Sequence, residues 1–239
     1  MDSLLIRVIV LLIISISCDA SSYVCDKNSV PCGCGGKNVG ISARIVNGEN
    51  SIPNSWSMIV SLRMSRSHPT HACGGTILNE FYILTAAHCV DQSVFDFSSE
   101  NLTIAAGIYN LSEPNQIVRR VDKIIIHPSW IPYSTGYHYD IALLHLSEPL
   151  ELTKSSPLIR TCLPSHPDSL EEIMQYPANG TSLVVIGWGR LATQGSVPDT
   201  LQQVTINSIS HFDRICSTLI QNPASQFCAG LYKTKKGKK

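Results

Sequence analysis

The sequence predicts an all-β protein, built as a sandwich or a barrel. Short apolar or alternating runs recur from residue 57 to residue 209, with Gly, Pro, Asn and Ser between them. Many short strands separated by turn residues are typical of these two architectures. The 239 residues suit one large all-β domain or two small ones. The hydrophobic content of 44% is enough for a buried core.

Residues 1–20 have the pattern of a secretory signal peptide. Arg7 precedes a branched aliphatic run over residues 8–16, and small residues follow. We expect cleavage after Ala20, with cleavage after Cys18 as the alternative. A membrane anchor is disfavoured because the run is shorter than the about 20 residues that span a bilayer. The expected location is therefore secreted and extracellular.

Residues 21–44 form a cysteine-rich segment that has little apolar periodicity and contains Cys25, Cys32 and Cys34. Zinc binding by these cysteines is disfavoured, since no fourth ligand sits at zinc-finger spacing. The chain has nine cysteines, and removal of Cys18 with the signal leaves an even number, as disulfides require. Three N-glycosylation sequons also fit a secreted chain; they begin at Asn101, Asn110 and Asn179.

From residue 45 the pattern changes to short β-type runs. We predict strands over residues 57–63, 75–78, 81–84, 102–106, 117–127, 141–146, 183–188 and 201–209. One helix is predicted over residues 211–220, with Ile215, Leu219 and Ile220 on one face and Ser210 as its N-cap.

Charge is unevenly distributed along the chain. Formal net charge is zero, but five of the eighteen basic residues lie in a lysine-rich tail at residues 231–239. The rest of the chain is net acidic, which excludes a nucleic-acid partner. The tail itself could bind polyanions or anionic lipid.

Two residues carry candidate chemistry. His88 follows an apolar run and precedes Cys89, and Cys73 lies sixteen positions upstream of Cys89. If the two cysteines pair, a bridge worth about 3 kcal/mol holds the loop next to the imidazole. Asp140 opens an aliphatic strand, where it either ends a turn or orients an imidazole through its Nδ1–H.

On these residues and several further motifs the chain resembles the chymotrypsin/trypsin family of secreted serine proteases. The motifs occur in the family's order between residues 45 and 230; they are Arg44-Ile45-Val46-Asn47-Gly48, Cys73-Gly74-Gly75, Thr85-Ala86-Ala87-His88-Cys89, Asp140-Ile141-Ala142-Leu143-Leu144, Cys162-Leu163-Pro164, Gly187-Trp188-Gly189, Leu201-Gln202-Gln203-Val204 and Cys228-Ala229-Gly230.

The resemblance implies two six-stranded antiparallel β-barrels with the active site between them. It implies serine-type endopeptidase activity, with His88 as general base and then general acid and Asp140 as the group that orients it. Arg44–Ile45 would be the activation cut made by a trypsin-like protease, and residues 21–44 the propeptide of a zymogen. No metal and no cofactor are expected.

The resemblance also implies a set of disulfides. Two are Cys73–Cys89 and Cys216–Cys228. Cys162 would hold one propeptide cysteine, either Cys32 or Cys34. Cys25 would pair with the remaining one, because those two are too close for an easy bridge to each other.

The resemblance stops after Gly230, because the 239 residues contain no Gly-Asp-Ser-Gly-Gly segment. The nucleophilic serine and its oxyanion hole are therefore not in this sequence, and Ser217 and Ser225 do not sit on Gly-flanked turns that could replace it. We expect a complete first barrel over residues 45–149 and a second barrel without its C-terminal strands and helix. Because the pattern ends inside a structural element, a break in the reading frame is the favoured explanation of the lysine tail.

Three functions remain open for residues 45–239. The first is a trypsin-like endopeptidase domain, truncated and inactive as given, whose partners would be peptide substrates, inhibitors and an activating protease. The second is a secreted non-catalytic homologue that binds a partner or an inhibitor. The third is a fragment without function.

Overall fold

The computed structural model describes residues 21–23, 30, 32–35, 39–41, 48–64, 70–93, 101–132, 137–164, 176–192, 194–223 and 225–230. The expected signal peptide, the activation cut at Arg44–Ile45, Cys25 and the lysine-rich tail lie outside the described residues. In the part of the chain that is described, no helix is both long and apolar enough to cross a bilayer.

Twelve strands are present in the described residues, together with one 3₁₀ turn and one short helix. In chain order they are β1 (Ser21–Tyr23), β2 (Val39–Ile41), β3 (Glu49–Asn50), β4 (Ile59–Met64), β5 (Thr70–Ile77), β6 (Tyr82–Thr85), the 3₁₀ helix (Ala87–Cys89), β7 (Leu102–Ala106), β8 (Ile117–Ile126), β9 (Ala142–Leu146), β10 (Ser182–Gly187), β11 (Gln202–Ile209), α1 (Cys216–Leu219) and β12 (Cys228–Gly230).

Six strands close into an antiparallel barrel in the order β4-β5-β6-β9-β8-β7. The alternating pattern of β9 is typical of a strand with one face toward a core: Ala142, Leu144 and Leu146 are buried, while the residues between them are half-buried. Equivalent inward residues from the other five strands fill the centre with Val, Leu and Ile. Closure pairs every edge strand, so the barrel has a complete core of its own.

A second sheet consists of β10, β11 and β12, with β3 also paired to β11. β12 pairs with the end of β11 at residues 207–209, and β3 pairs with its start at residues 202–203. Within the described residues this sheet does not close. One complete barrel beside a second sheet confirms the predicted all-β, double-barrel class.

The two halves meet around Trp188, which is 1% exposed. Its ring packs against Ile59 and Ile108 of the first half, and its Nε1–H donates to Tyr109 O at 3.2 Å. A second indole, Trp56, donates to Gln203 Oε1 at 2.8 Å. These contacts bury apolar area and satisfy the indole donors. They therefore hold the barrel and the second sheet in a fixed position relative to each other.

The predicted helix over residues 211–220 is wrong in length. Only Cys216–Leu219 is helical, and the residue at its N-cap is Ile215, not Ser210. Ile215 and Leu219 are 67% and 66% exposed, and only Ile220 of the expected apolar face is half-buried. A turn in which Asp213 Oδ1 accepts from Ile215 N at 2.9 Å replaces the first part of the helix.

Two strand boundaries also differ from the prediction. β5 begins at Thr70 rather than at residue 75, because its glycines pair with β4 in register. The first barrel does not begin at residue 45, since β3 belongs to the second sheet. The short strands β3 and β12 were not predicted; they form by pairing with distant residues of β11.

The cysteine-rich segment is docked on the main body of the chain. Cys32 is bonded to Cys162, which lies 130 residues later, and Gly33 N donates to Arg160 O at 2.9 Å. Any side chain at Gly35 would collide with the backbone of Ser55, because an added Cβ would lie 2.0 Å from Ser55 O. Cys34 is also in a disulfide, and its expected pairing with Cys25 falls outside the described residues.

Candidate functional site

The register of β6 and β9 brings the two candidate residues together. Thr85 lies opposite Ala142 in this antiparallel pair. After β6 the chain enters the 3₁₀ helix that carries His88. Asp140 lies two residues before Ala142, the first residue of the neighbouring strand β9. Antiparallel pairing therefore places residues that are 52 positions apart on the same rim of the barrel.

Asp140 accepts two hydrogen bonds from His88. Its Oδ1 lies 2.8 Å from the His88 backbone N, and its Oδ2 lies 2.7 Å from His88 Nδ1. Because an ionised carboxylate can only accept, the proton sits on Nδ1 and the lone pair is on Nε2. The side chain of His88 is 45% exposed, against 21% for Asp140. The pair thus presents a basic nitrogen that solvent can reach.

A tight turn aims the Asp140 carboxylate. Ile141 N donates to Tyr139 O at 2.7 Å, which closes a three-residue turn around Asp140. Tyr139 has a φ of 55°, and its ring stacks on His127 at a centroid distance of 4.7 Å. These contacts keep the aspartate out of the extended strand and next to the imidazole.

The disulfide Cys73–Cys89 lies beside His88. It joins β5 to the 3₁₀ helix, and Thr85 Oγ1 donates to Gly74 O at 2.9 Å on the same side. Gly75 is required here, because a Cβ would lie 2.8 Å from the side chains of Leu62 and Ile83. The loop that carries the imidazole is therefore held from both ends.

One group of possible metal ligands occurs among the described residues, and it does not fit a metal. Cys73, His88 and Cys89 place their donor atoms within 4.8 Å of one another. Both sulfurs are used in the disulfide. Metal binding by cysteine needs a thiolate, so this group offers only one ligand. The contact of 3.4 Å between Cys89 Sγ and His88 Nε2 is a packing contact, since the bonded sulfur has no proton.

Two aromatic rings flank the imidazole on one side. Tyr137 meets the His88 ring edge to face at a centroid distance of 6.0 Å, and Trp130 stacks on Tyr137 at 6.1 Å. Tyr137 has a φ of 47°, an unusual backbone for a bulky residue. We call Trp130 and Tyr137 the aromatic flank.

A buried aspartate holds the aromatic flank in place. Asp91 is 7% exposed, and its Oδ2 accepts from Trp130 Nε1 at 2.7 Å. Its Oδ1 accepts from both the backbone N and the hydroxyl of Ser93, at 2.9 and 2.7 Å. Burial of Asp91 disfavours the charged form, but the hydrogen bonds from Ser93 and Trp130 outweigh burial and lower the pKa of Asp91. The carboxylate is therefore a charged anchor for the indole.

The candidate site opens onto a cleft of about 1120 Å³ between the barrel and the second sheet. Thr85, Tyr137 and Asp140 line it from the barrel side, and Ile186 and Phe227 line it from the other side.

The serines near the end of the chain do not supply a partner for His88. Ser225 lines the cleft, but its hydroxyl is directed at Asn222 O at 3.5 Å. Ser217 donates to Arg214 O at 3.1 Å. Among the described residues, no serine hydroxyl is hydrogen-bonded to His88.

The remaining predicted site residues are spread over the chain. Cys216 and Cys228 form a disulfide that joins α1 to β12. In addition to Cys73–Cys89, Cys162 is bonded to Cys32, which resolves the alternative between Cys32 and Cys34. Asn101 and Asn110 are half-buried, and Asn179 is exposed.

Three residues of the site were missed from the sequence, namely Asp91, Trp130 and Tyr137. The positive φ of Tyr137 and the burial of Asp91 are properties of the fold. The only sequence signal was the closeness of Asp91 to His88, and a polar residue after a disulfide cysteine is too common to select it.

Comparison with known proteins gives consistent matches. The family model described as Trypsin matches residues 45–238. Chymotrypsin-C of Rattus norvegicus is 34% identical over 198 residues, which cover 80% of this chain and 67% of the relative. Chymotrypsin-C of Mus musculus is 34% identical over 200 residues, with the same two coverages. Chymotrypsin-like elastase family member 1 of Bos taurus is 35% identical over 173 residues, 71% of this chain and 59% of the relative. The matched region therefore amounts to between 59% and 67% of the length of these relatives.

Proposed function

The chain belongs to the trypsin family of serine proteases. From that premise we propose that it carries two groups of a serine endopeptidase site, His88 as the general base and Asp140 as the carboxylate that orients it. The single observation that supports this most directly is the pair of hydrogen bonds of 2.7 and 2.8 Å from Asp140 to His88. They leave Nε2 as the basic atom of the ring, at the rim of the barrel next to Asp140, which lines the cleft.

The proposed chemistry is acyl transfer. His88 Nε2 would take the proton of a serine hydroxyl as that oxygen attacks the peptide carbonyl, and would then give the proton to the leaving amine. Asp140 would hold the ring in the tautomer that leaves Nε2 free and would stabilise the imidazolium. The substrates would be proteins or peptides that lie in the cleft.

We further propose that the 239 residues alone are inactive. Their sequence contains no Gly-Asp-Ser-Gly-Gly segment, and in the described residues no serine contacts the imidazole. Loss of the nucleophile alone lowers the rate of such triads by about six orders of magnitude.

The proposal extends to processing and location. A trypsin-like protease would cut at Arg44–Ile45 and convert a zymogen, and the chain would be secreted after loss of residues 1–20. The disulfides support this route, because such bonds are typical of oxidising compartments.

The test is a chimera labelled with a serine-directed fluorophosphonate. Residues 1–230 are joined to the part of Rattus norvegicus chymotrypsin-C that follows its matching segment, and the product is cut at Arg44–Ile45. We expect stoichiometric labelling of the chimera, none after His88→Ala, and none of the 239-residue chain. The matched control is His145→Ala, because His145 also pairs with an aspartate, Asp122, at 2.6 Å but lies away from the cleft.

The same experiment separates the second candidate function. A non-catalytic homologue that binds a partner or an inhibitor is favoured by one observation, the open cleft of about 1120 Å³, which needs no nucleophile to accept a peptide. A folded, cut chimera that stays unlabelled would support this candidate. Labelling of the unaltered 239-residue chain would overturn the proposed inactivity.

A further inference from the structure

A second, smaller pocket of about 220 Å³ lies at one end of the second sheet and adjoins the cleft, with which it shares Gln226, Phe227 and Cys228. Its walls include the rings of Tyr176, Phe212 and Phe227, whose exposed fractions are 58%, 81% and 57%. The ring of Phe212 lies 3.9 Å from that of His211. Three large aromatic side chains that are more than half exposed and line one pocket form an exposed apolar patch, and such patches mark binding sites.

The rim of this pocket carries a sequon. Asn179 lines the pocket, is exposed, and begins the segment Asn179-Gly180-Thr181. Thr181 N donates to Ala178 O at 3.0 Å, and Gly180 has a φ of 81°, so the segment is a tight turn. The Asn179 Oδ1 accepts from Ser210 N at 2.9 Å. Its Nδ2 has no hydrogen bond within the described part of the chain and is free to react.

We propose that Asn179 is N-glycosylated and that the first sugar of its glycan packs on the aromatic rings of this pocket. In the modification, Asn179 Nδ2 forms a bond to the anomeric carbon of an oligosaccharide linked to a lipid diphosphate. The bond from that carbon to the diphosphate oxygen breaks, the diphosphate leaves with the electron pair, and the amide loses one proton.

The size and chemistry of the pocket suit one sugar ring. Its volume is below the about 300 Å³ at which pockets for drug-sized ligands begin. An N-acetylglucosamine ring has an apolar C–H face, which gains by covering aromatic area that is otherwise in water. Because the sugar is covalently bonded to a residue at the pocket rim, its binding to the pocket is intramolecular. The translational and rotational entropy lost on binding is therefore small.

The other two sequons lack this setting. Asn110 is half-buried and pairs with Thr200 through a β-bridge. Asn101 is half-buried at the start of β7. Neither residue lines the aromatic pocket. The proposal is independent of peptidase activity and requires only that the chain pass through a secretory compartment.

The first test maps the modification. The full chain is produced in eukaryotic cells with its own N-terminus, and glycopeptides are identified by mass spectrometry. We expect a glycan on Asn179 that is lost in Asn179→Gln and in Thr181→Ala and retained in Thr181→Ser, which preserves the sequon. An unmodified Asn179 in the secreted chain would overturn the proposal.

The second test asks whether the sugar covers the rings. With ¹³C-labelled N-acetylglucosamine, ring currents should shift the C–H signals of the first sugar upfield, and the shift should be lost in Phe212→Ala, an exposed position whose replacement leaves the fold intact. An apolar dye should bind at least about two-fold more brightly after enzymatic removal of the glycan. Unchanged sugar shifts in Phe212→Ala, or unchanged dye binding because another segment fills the pocket, would contradict the packing.

Discussion

At the level of single residues, Asp140 uses each carboxylate oxygen for a different part of His88. One oxygen fixes the backbone of the 3₁₀ helix and the other fixes the ring. The sequence was enough to predict that these two residues lie together, because the motifs around them are distinctive. It could not predict the aromatic flank, since Asp91, Trp130 and Tyr137 meet only through the folded barrel.

Replacement of Asp140 by Asn should therefore destabilise the protein. Both His88 groups are donors, and an amide offers one acceptor and one donor where a carboxylate offers two acceptors. The ring can take the tautomer that carries its proton on Nε2 and accept from the Asn Nδ2–H, so both contacts persist but lose the charge of the carboxylate. We therefore expect the free energy of unfolding to fall by about 1–2 kcal/mol, measured in urea. Asp122→Asn is the matched control. That residue faces His145 in an exposed pair and should cost less than about 1 kcal/mol. Equal losses in the two variants would contradict the role given to Asp140.

A different histidine makes stability depend on pH. His71 is half-buried, its Nδ1 lies 2.8 Å from Ser61 Oγ, and its ring meets Trp188 at 5.7 Å. Burial lowers the pKa of His71, and the positive charge of Arg63 lowers it further. The neutral ring is thus the form that suits the folded state.

We expect stability to fall as the pH drops below about 6.5, the ordinary pKa of histidine. In that range the unfolded chain binds a proton at His71 more readily than the folded chain does, and this shifts the equilibrium toward unfolding. Above that pH the ring is neutral in both states and contributes no pH dependence. The check is the difference in unfolding free energy between His71→Gln and the unaltered chain at several pH values. The difference should change below pH about 6.5, and a constant difference would contradict the assignment.

At the level of elements, the sequence predicted strands well and the helix poorly. β7, β8 and β9 were placed within a residue or two, because alternation of buried and exposed side chains is a local signal. Residues 211–220 have helical spacing, but Ile215 and Leu219, two of the three apolar residues on that face, are exposed. Most of a short helix's stability comes from packing, so the helix stays short. The two-residue strand β3 is invisible in the sequence, since it exists only through its partner.

The disulfide next to the 3₁₀ helix offers a test at this level. Cys73→Ala with Cys89→Ala should lower the free energy of unfolding by about 3 kcal/mol, as the chain-entropy model gives for a loop of this size. The His88 amide should also lose protection from hydrogen exchange, because its loop is released. The control is Cys216→Ala with Cys228→Ala, which removes a disulfide that closes a loop of similar length, 12 positions against 16. This control should lose similar stability while the His88 amide stays protected.

At the level of the whole molecule, long-range covalent and hydrogen-bonded links join parts that are distant in sequence. Ser112 donates to Asp199 through both its backbone N and its hydroxyl, across 87 positions. The Cys32–Cys162 disulfide spans 130 positions and holds the cysteine-rich segment on the body of the chain.

This disulfide predicts how the cut protein behaves. After limited cleavage at Arg44–Ile45 by trypsin, the segment before residue 45 should stay with the rest of the chain on a non-reducing gel. It should separate on a reducing gel. In Cys32→Ser the segment should separate without reductant, and its retention there would contradict a tether through Cys32.

The pairing of β3 with β11 has a consequence for that same cut. Glu49 is held by its pairing with Gln203 and by a 2.9 Å hydrogen bond from Gln203 Nε2 to Glu49 Oε1. An amine freed at Ile45 would be four residues away and could reach no farther than about 14 Å from that anchor. Because the connecting segment is so short, the effective concentration of the amine at any acceptor within that distance is about millimolar or more. An acceptor within that distance would therefore bind the new terminus even if its intrinsic dissociation constant were as weak as about 1 mM.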